Sequence, residues 1–506
     1  MNGKKRLLLV YPAMGMSGAL VRHLPLSLLY AAADALKSGF SADIVDVRLD
    51  PSGWRENIAA RLSADTILVG ISVMTGTPVS GALEITRWIK QHYPDLPVVW
   101  GGPHVTFCGD EVLFEQGIDF AVSGYGSKVL CRLACNLRGD SDALPLELIP
   151  GLICREPETS VARSVPPDNT FELLDFRDIP YQLIESDLPR YGQLDMSERI
   201  FPLYSSMGCP YRCSFCSSPA QYSGMEKKYL PISPGEVVDH IEYVHKRYGA
   251  GYIYFIDDDS FVDLAHVAAI IDGIDRRGIR VRLGFRGARV DEILRMDDEF
   301  LSKLVASGTS ILHIGAESGS QRMLDLMRKG CTVADILEVN LRLAKHPEIV
   351  AAYNWVVGTP GETLDDLRQT RELILQLLDE NPAAIIFAPN MYRPLPGTEL
   401  YELALKHGYR RPERLEEWAE VEVEGGFRPD WISPEFARTV EMMRVTSYFI
   451  DDKPLKLQTG NTLAYRMLRI AAWLYGPLAR LRFRHGITAI LVEQRLFAWF
   501  VGRMRG

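Results

Sequence analysis

Three of the eight cysteines lie within eight residues, Cys209, Cys213 and Cys216, in the segment Cys-Pro-Tyr-Arg-Cys-Ser-Phe-Cys. Intervals of three and two residues let one tight loop bring three thiolates to a single metal centre. A structural zinc site takes four ligands, and no fourth cysteine or histidine follows nearby. An iron–sulfur cluster is normally held by four cysteines, so three leave one iron open. The spacing therefore favours iron–sulfur chemistry over a structural zinc loop or chance.

The cysteine loop follows a predicted strand at Phe201–Ser205. Further strands are predicted at Tyr252–Ile256, Arg282–Phe285, Ile311–Ile314, Ala352–Val357 and Ala384–Ala388. Amphipathic segments separate these strands, which is typical of βα units. Six such units predict a partial (β/α)6 barrel of the TIM type over residues 201–400. Active sites in such barrels lie at the carboxyl ends of the strands, where the cysteines stand.

The front of the chain, residues 1–140, also alternates strands with helices and predicts a doubly wound, Rossmann-like parallel sheet. Its predicted strands are Leu7–Val10, Ala42–Val47, Thr66–Ile71, Val98–Trp100 and Phe120–Val122. Ligands bind such sheets at the carboxyl ends of the strands, and glycines gather there in this chain. Residues 141–200 are rich in Pro, Asp and Glu and are interpreted as a linker.

The composition matches a globular protein of about three domains, with 47% hydrophobic and 24% charged residues in 506. It excludes disordered and collagen-like classes. A net charge of -9 argues against a nucleic-acid partner, and eight cysteines are too few for a disulfide scaffold. The apolar run Leu7–Val10 is short for an export signal, and no long uncharged run predicts a spanning helix. These features predict a cytoplasmic protein.

The region 401–506 is predicted to be mostly helical, and its last part is basic. From residue 461 onward it holds eight arginines and one acid, Glu493, with aromatic residues between them. Basic amphipathic helices of this kind bind anionic membrane surfaces, so a peripheral membrane contact is one interpretation. The other is a helical subdomain packed on the barrel with its arginines in water.

The cysteine segment, with an aromatic residue before its last cysteine, resembles the signature of radical S-adenosylmethionine (SAM) enzymes. The resemblance implies a [4Fe-4S] cluster on Cys209, Cys213 and Cys216, whose open iron binds SAM, with Phe215 beside the adenine. In that family the reduced cluster cleaves SAM to a 5′-deoxyadenosyl radical.

Motifs at the later strand ends extend the resemblance. Asp257 or Asp258 matches the position that contacts the SAM amino group, whereas the adjacent Asp259 and Ser260 are also typical helix caps. Glu317 and Ser318 are then expected near the SAM methionine or ribose, and Gly358 near the adenine. Arg286 and Arg289 are candidates for substrate or carboxylate binding, or for ordinary ion pairs.

The front domain resembles the cobalamin-binding domain that is fused to many radical SAM enzymes. The resemblance implies cobalamin binding by Ser72, Thr75, Gly101, Gly102, His104, Gly124 and Gly126. For His104, a role as a polar loop residue is the alternative. The Asp-x-His-x-x-Gly motif of classical cobalamin enzymes is absent, and Tyr125 stands where the family usually has an acid. A degenerate domain used for docking is therefore a competing interpretation.

Together these features predict a cobalamin-dependent radical SAM enzyme that acts on a small molecule. The expected reaction is methylation of an unactivated carbon. The alternative is radical cyclisation or rearrangement of a hydrophobic, porphyrin-like or lipid-like substrate without methyl transfer. In either case the family implies an external electron donor such as flavodoxin or ferredoxin.

Overall fold

A computed structural model describes residues 4–14, 21–156, 161–193, 198–421, 427–451 and 463–489. The strands of its first part are β1 (Arg6–Tyr11), β2 (Val21–Arg22), β3 (Ser41–Asp46), β4 (Thr66–Ser72), β5 (Val98–Gly101), β6 (Phe120–Val122), β7 (Leu152–Arg155) and β8 (Ala162–Ser164). The first sheet has the order β3-β1-β4-β5-β6-β7-β8. Its first five strands are parallel, as a doubly wound fold requires.

The inner strand β1 shows why this sheet forms. Leu7, Leu8, Leu9 and Val10 are all buried, so both faces of the strand are covered. Parallel sheets need such cover, and unbroken apolar runs supply it. The covering helices are α1 (Leu26–Lys37), α2 (Trp54–Ala59), α3 (Thr77–His92), α4 (Pro103–Cys108) and α5 (Ser127–Arg138).

The structure corrects the predicted linker over residues 141–200. Strands β7 and β8 extend the first sheet as an antiparallel hairpin paired with β6. Leu152 and Ile153 are buried there, and the hairpin covers the edge that β6 would otherwise expose. Both strands are too short to give a clear alternating pattern in the sequence.

The second sheet forms the predicted partial barrel. Its strands are β10 (Arg199–Leu203), β13 (Ala250–Phe255), β14 (Arg282–Ala288), β15 (Thr309–Glu317), β16 (Val350–Val357) and β17 (Ala384–Ile386). All pair in parallel and in chain order. The intervening short strands are β9 (Gly192–Gln193), β11 (Ser206–Gly208), β12 (Tyr229–Pro231) and β18 (Asn390–Met391).

The short helix α6 (Ser218–Gln221) follows the cysteine loop. The helices that cover the outer face of this sheet are α7 (Pro234–Tyr248), α8 (Leu264–Arg276), α9 (Val290–Ile293), α10 (Asp298–Ala306), α11 (Gln321–Leu326), α12 (Val333–Leu343) and α13 (Leu364–Glu380). Phe255, Phe285 and Leu312 point toward them and are buried. Because successive side chains alternate between faces, Tyr254, Arg286 and His313 lie on the concave side.

The last part is helical, as predicted: α14 (Glu399–Lys406), α15 (Leu415–Trp418), α16 (Pro434–Ile450) and α17 (Leu463–His485). Trp418 is buried in the core of the first domain, and Glu416 forms an ion pair with Arg87 there. This segment therefore returns to the front of the molecule. Among the described residues, no helix is both long and apolar enough to cross a membrane.

Candidate active site

The cysteine loop runs from β11 to α6 at the carboxyl end of the barrel. All three of its cysteines are free and partly buried. Ser214 anchors the loop to the barrel: its N–H donates to the Met327 carbonyl at 3.0 Å, and its hydroxyl donates to the Leu326 carbonyl at 2.7 Å. The Ser218 N–H donates to Cys216 Sγ at 3.4 Å. The loop is thus held between the start of α6 and the end of α11.

Arg289 fixes the middle cysteine. Its guanidinium donates to Cys213 Sγ at 3.2 Å and to Asp291 at 2.9 Å, and it lies 3.7 Å from the centre of the Tyr211 ring. It also donates to the Lys329 carbonyl. The side chain is buried. From the sequence, Arg289 was a candidate either for ligand binding or for an ordinary ion pair. In the structure it donates to the Cys213 sulfur and also forms an ion pair with Asp291.

The cysteines suit an iron–sulfur cluster. Burial raises the pKa of the Cys209 and Cys216 thiols, so their thiolates need a positively charged partner. In the described part of the chain, no three His, Cys, Asp or Glu side chains converge as ligands of one metal ion. A cluster does not need such convergence, because each cysteine binds a different iron.

The three consecutive acids have different surroundings. Asp257 accepts hydrogen bonds from the Ser205 N–H and hydroxyl, both at 2.7 Å, and from the Ser206 N–H at 3.0 Å. Burial raises its pKa to about 6 despite these bonds. These bonds occupy the Asp257 carboxylate and tie the end of β13 to the connection between β10 and β11.

Asp258 is the acid that faces the cysteine loop. It accepts hydrogen bonds from the Ser218 hydroxyl at 3.0 Å and the Tyr222 hydroxyl at 2.8 Å. Asp259 is buried, and burial together with the neighbouring Glu292 raises its pKa well above the ordinary value. It does not cap the next helix, because the cap of α8 is Asp263.

Glu317 ends β15 and forms a buried ion pair with Lys329, at 2.8 Å. Its backbone has φ of 62°, which is unusual for a residue other than glycine. A Cβ on Gly315 would lie 2.3 Å from the Glu317 carboxylate and 2.5 Å from the Lys329 ammonium, so a side chain there would force the ends of this pair to shift. Ser318 is fully buried and bonds to Thr370 at 3.2 Å, away from open space.

The turn after β16 is organised by Glu362. Its carboxylate accepts hydrogen bonds from the Gly358 N–H at 2.5 Å and the Thr359 N–H at 3.0 Å. Burial raises its pKa to about 8. Trp431 donates to the Gly358 carbonyl at 3.1 Å. Phe215, from the cysteine loop, packs nearby against the aromatic cluster that includes Tyr392.

A cavity of about 240 Å³ lies at the carboxyl ends of β4, β5 and β6. It is lined by five of the seven residues predicted in the front domain: Ser72, Gly101, Gly102, Gly124 and Gly126. Tyr125 also lines it, so the residue that replaces the usual acid does not close the space. Tyr204 and Met207, which lead into the cysteine loop, complete the lining.

The structure places the other two predicted residues outside this lining. His104 is fully buried, 3.1 Å from the Thr75 hydroxyl and edge-on to Trp418. Burial lowers its pKa to about 4, so the ring is neutral. Among the described residues its Nε2 has no hydrogen-bond partner. His104 therefore packs against Trp418, and its contact with the corrin stays a prediction.

Sequence reasoning missed a row of rings across the concave face of the barrel. His23 stacks on Tyr254 at 5.5 Å, Tyr254 meets His313 edge-on at 5.8 Å, and His313 stacks on Phe387 at 5.4 Å. Arg286 lies beside them and has no ion pair or hydrogen bond with a described residue. Burial and Arg286 lower the pKa of His23 and His313 to about 4. The alternation of side chains along β13, β14 and β15 was the signal in the sequence that could have placed Tyr254, Arg286 and His313 on one face.

Comparison with known protein families agrees with the assignment of both the barrel and the front domain. The family model of the radical SAM superfamily matches residues 203–374, and that of the B12 binding domain matches residues 18–134. The chain is a radical SAM enzyme with a B12-binding domain. Its cofactors are accordingly a [4Fe-4S] cluster, SAM and cobalamin, and the resemblance drawn from the sequence is confirmed.

Two curated relatives span most of this radical SAM enzyme. The anaerobic magnesium-protoporphyrin IX monomethyl ester cyclase of Rubrivivax gelatinosus is 27% identical over 405 residues, 78% of this chain and 69% of its own. The uncharacterized methyltransferase PH0819 of Pyrococcus horikoshii is 26% identical over 383 residues, 75% of this chain and 78% of its own.

The fold is shared with a solved structure of the radical SAM methyltransferase TsrM from Kitasatospora setae, with cobalamin and a [4Fe-4S] cluster bound. The TM-score is 0.63 at 21% identity, over 81% of this chain and 76% of the other. The predicted fold class is therefore confirmed.

Proposed function

We propose that this enzyme methylates an unactivated carbon of a small molecule. One observation carries the proposal: Met207, two residues before Cys209, lines the front-domain cavity. The segment that carries the cysteines thus also forms a wall of the cavity to which we assign cobalamin. When bound, the cluster supplies the electron that cleaves SAM, and cobalamin supplies a methyl carrier. A relative named as a methyltransferase supports this reaction.

The residues of the barrel receive distinct roles in this proposal. Cys209, Cys213 and Cys216 hold the cluster, and Arg289 orients Cys213 through its hydrogen bond. Asp258 lies on the cysteine-loop side and is the better candidate for the SAM amino group, because it accepts two hydrogen bonds from side-chain hydroxyls, whereas Asp257 accepts three, two of them from backbone N–H groups. The Gly358 turn and Phe215 would flank the adenine.

The row of rings suggests where the substrate binds. Tyr254, His313 and Phe387 offer flat apolar surface, and Arg286 offers a positive charge that no described acid neutralises. Since both histidines of the row are neutral, Arg286 dominates the charge there. A small molecule with a flat or apolar part and an anionic group fits this lining.

The second candidate is radical cyclisation or rearrangement without methyl transfer. The same stacked rings favour it, because a flat conjugated substrate would lie along them. The cyclase of Rubrivivax gelatinosus, named for a porphyrin, is a relative in keeping with it. An electron donor such as flavodoxin or ferredoxin serves both candidates.

The test begins with anaerobic protein carrying its cluster, cobalamin and SAM. We expect iron–sulfur absorbance and 5′-deoxyadenosine formation, both lost in Cys213→Ala. Cys331→Ala is the matched control, because Cys331 is a buried cysteine outside the loop. Retention of both signals in Cys213→Ala would contradict the cluster assignment.

The reaction itself is tested by metabolite mass spectrometry on wild-type and deletion strains. A product heavier than its precursor by one methyl group, with S-adenosylhomocysteine formed in step with it, is expected. A product formed without S-adenosylhomocysteine would instead favour cyclisation or rearrangement.

A further inference from the structure

The last helix, α17, carries a stripe of exposed apolar side chains. Each of its side chains is at least half exposed, and Trp473 is 72% exposed. The five members are Ile470, Trp473, Leu474, Leu478 and Leu481. Residues three and four apart lie on the same side of a helix, so these five form one continuous face. We call this face the α17 stripe.

The opposite side of α17 packs against the rest of the protein. Ala479 and Phe483 are fully buried, and Tyr475 packs edge-on against Phe449 of α16 at 5.2 Å. Arg482 is buried as well and donates to the Tyr475 hydroxyl at 2.6 Å. These contacts fix the rotation of the helix, so the exposure of the stripe follows from how α17 is docked.

An apolar face of this kind indicates a binding surface. Single exposed apolar residues are ordinary, whereas contiguous exposed patches mark contacts with proteins or membranes. The five members of the α17 stripe share one helix face, so they form such a contiguous patch.

The composition of the segment that carries the stripe points to its partner. Residues 461–506 hold eight arginines and one acid, so the rest of the chain has 48 basic residues (56 less 8) against 64 acidic ones (65 less 1). Arg484 is exposed on α17 and has no ion pair with a described residue. A basic helix with an apolar face matches an anionic lipid surface. The acidic remainder would be repelled from such a surface, which orients the contact.

Two other features agree with this partner. Trp473 is the most exposed member of the stripe, and tryptophan is enriched at the membrane–water interface. Pairing of two copies through the stripe would bring two strongly basic segments together, which opposes self-association.

We propose that the α17 stripe docks this enzyme on anionic phospholipid, with the helix lying in the plane of the interface. The proposed contact is peripheral, because the side of α17 opposite the stripe stays packed against α16. It is independent of the proposed reaction, because it rests on the surface of α17 and not on the barrel.

The experiment is flotation of the full-length, cluster-loaded protein with vesicles of phosphatidylglycerol and phosphatidylcholine, and with phosphatidylcholine alone. Wild type should float only with the anionic vesicles, and less as salt is raised. Trp473→Ser with Leu474→Ser should weaken binding at least about tenfold, because both lose apolar contact with lipid. Arg484→Gln should weaken it about fivefold.

The matched control is Phe114→Ser, which alters an equally exposed ring on the front domain and should bind like wild type. Iron content and circular dichroism establish that each variant is folded. Wild type that ignores anionic vesicles at low salt overturns the proposal, as does equal loss of binding in the Phe114 variant. An oligomer that the double variant converts to monomer, without any lipid binding by wild type, also overturns it and assigns the stripe to self-association.

Discussion

Replacing Lys329 by methionine should destabilise the barrel strongly. The Lys329 ammonium lies 2.8 Å from the Glu317 carboxylate, and the two side chains are only 7% and 9% exposed. Methionine preserves most of the side-chain volume but leaves the carboxylate buried and unpaired. Breaking one partner of a buried ion pair costs about 3–5 kcal/mol of the free energy of unfolding. Total stabilities are only about 5–15 kcal/mol, so this loss would be large.

A second variant separates the charge effect from the shape effect. Glu317→Gln combined with Lys329→Met removes both charges and should recover most of the lost stability. Lys303→Met is the matched control, because Lys303 pairs with Asp272 at the same 2.8 Å but with 34% and 42% of the side chains exposed. An exposed pair contributes about 0–1 kcal/mol, so this variant should be close to wild type.

The assay is urea unfolding under anaerobic conditions, together with hydrogen exchange of the segment 309–317. Exchange reports on β15 directly, which matters because a protein of several domains does not unfold in one step. Lys329→Met should lower the urea midpoint and the protection of β15, and the double variant should restore both. If Lys329→Met matched Lys303→Met in both measurements, the pair would not be buried and compensated as described.

Three further outcomes are expected. Glu362→Gln should reduce the pH dependence of stability. Burial raises the folded pKa of Glu362 to about 8, so the stability that its bound proton contributes is lost as pH rises from the ordinary carboxyl range through 8. Thermal unfolding from pH 5 to 9 should show a smaller loss in the variant than in wild type. Gly102→Ala should lower cobalamin content because its Cβ would lie 2.9 Å from the Val73 carbonyl at φ of 98°, whereas Gly81→Ala on α3, outside the cavity and 3.4 Å from its nearest neighbour, should load normally by absorbance. Arg286→Gln should abolish product formation but keep 5′-deoxyadenosine formation, measured by chromatography.

The fold was largely predictable because its elements are long and strongly patterned. The buried run Leu7–Val10 and the alternating strands of the barrel leave few alternatives. The β7–β8 hairpin was missed because its strands have four and three residues, and their pairing with β6 is decided by an edge that needs cover. Local sequence does not contain that information.

The residues of the candidate site were likewise only partly predictable from the sequence. Cysteine spacing indicates cluster ligands because all three lie on one loop, so their proximity is local. The separate environments of Asp257 and Asp258 are decided by Ser205 and Ser218, which belong to other elements. His104 looked like a ligand beside the glycines, but Trp418, more than three hundred residues later in the chain, covers it. Long-range packing decided those cases.

One chain of contacts links the barrel core to the cluster loop. Glu317 pairs with Lys329, the Lys329 carbonyl accepts a hydrogen bond from Arg289, and Arg289 donates to Cys213. Arg289 forms an ion pair with Asp291, and Lys329 forms one with Glu317. The positive charges of Arg289 and Lys329 are therefore balanced by these two carboxylates and do not compensate the cysteine thiolates. Buried thiolates therefore depend on the iron of the cluster for compensation. Loading the cluster should consequently stabilise the barrel as well as equip it for chemistry.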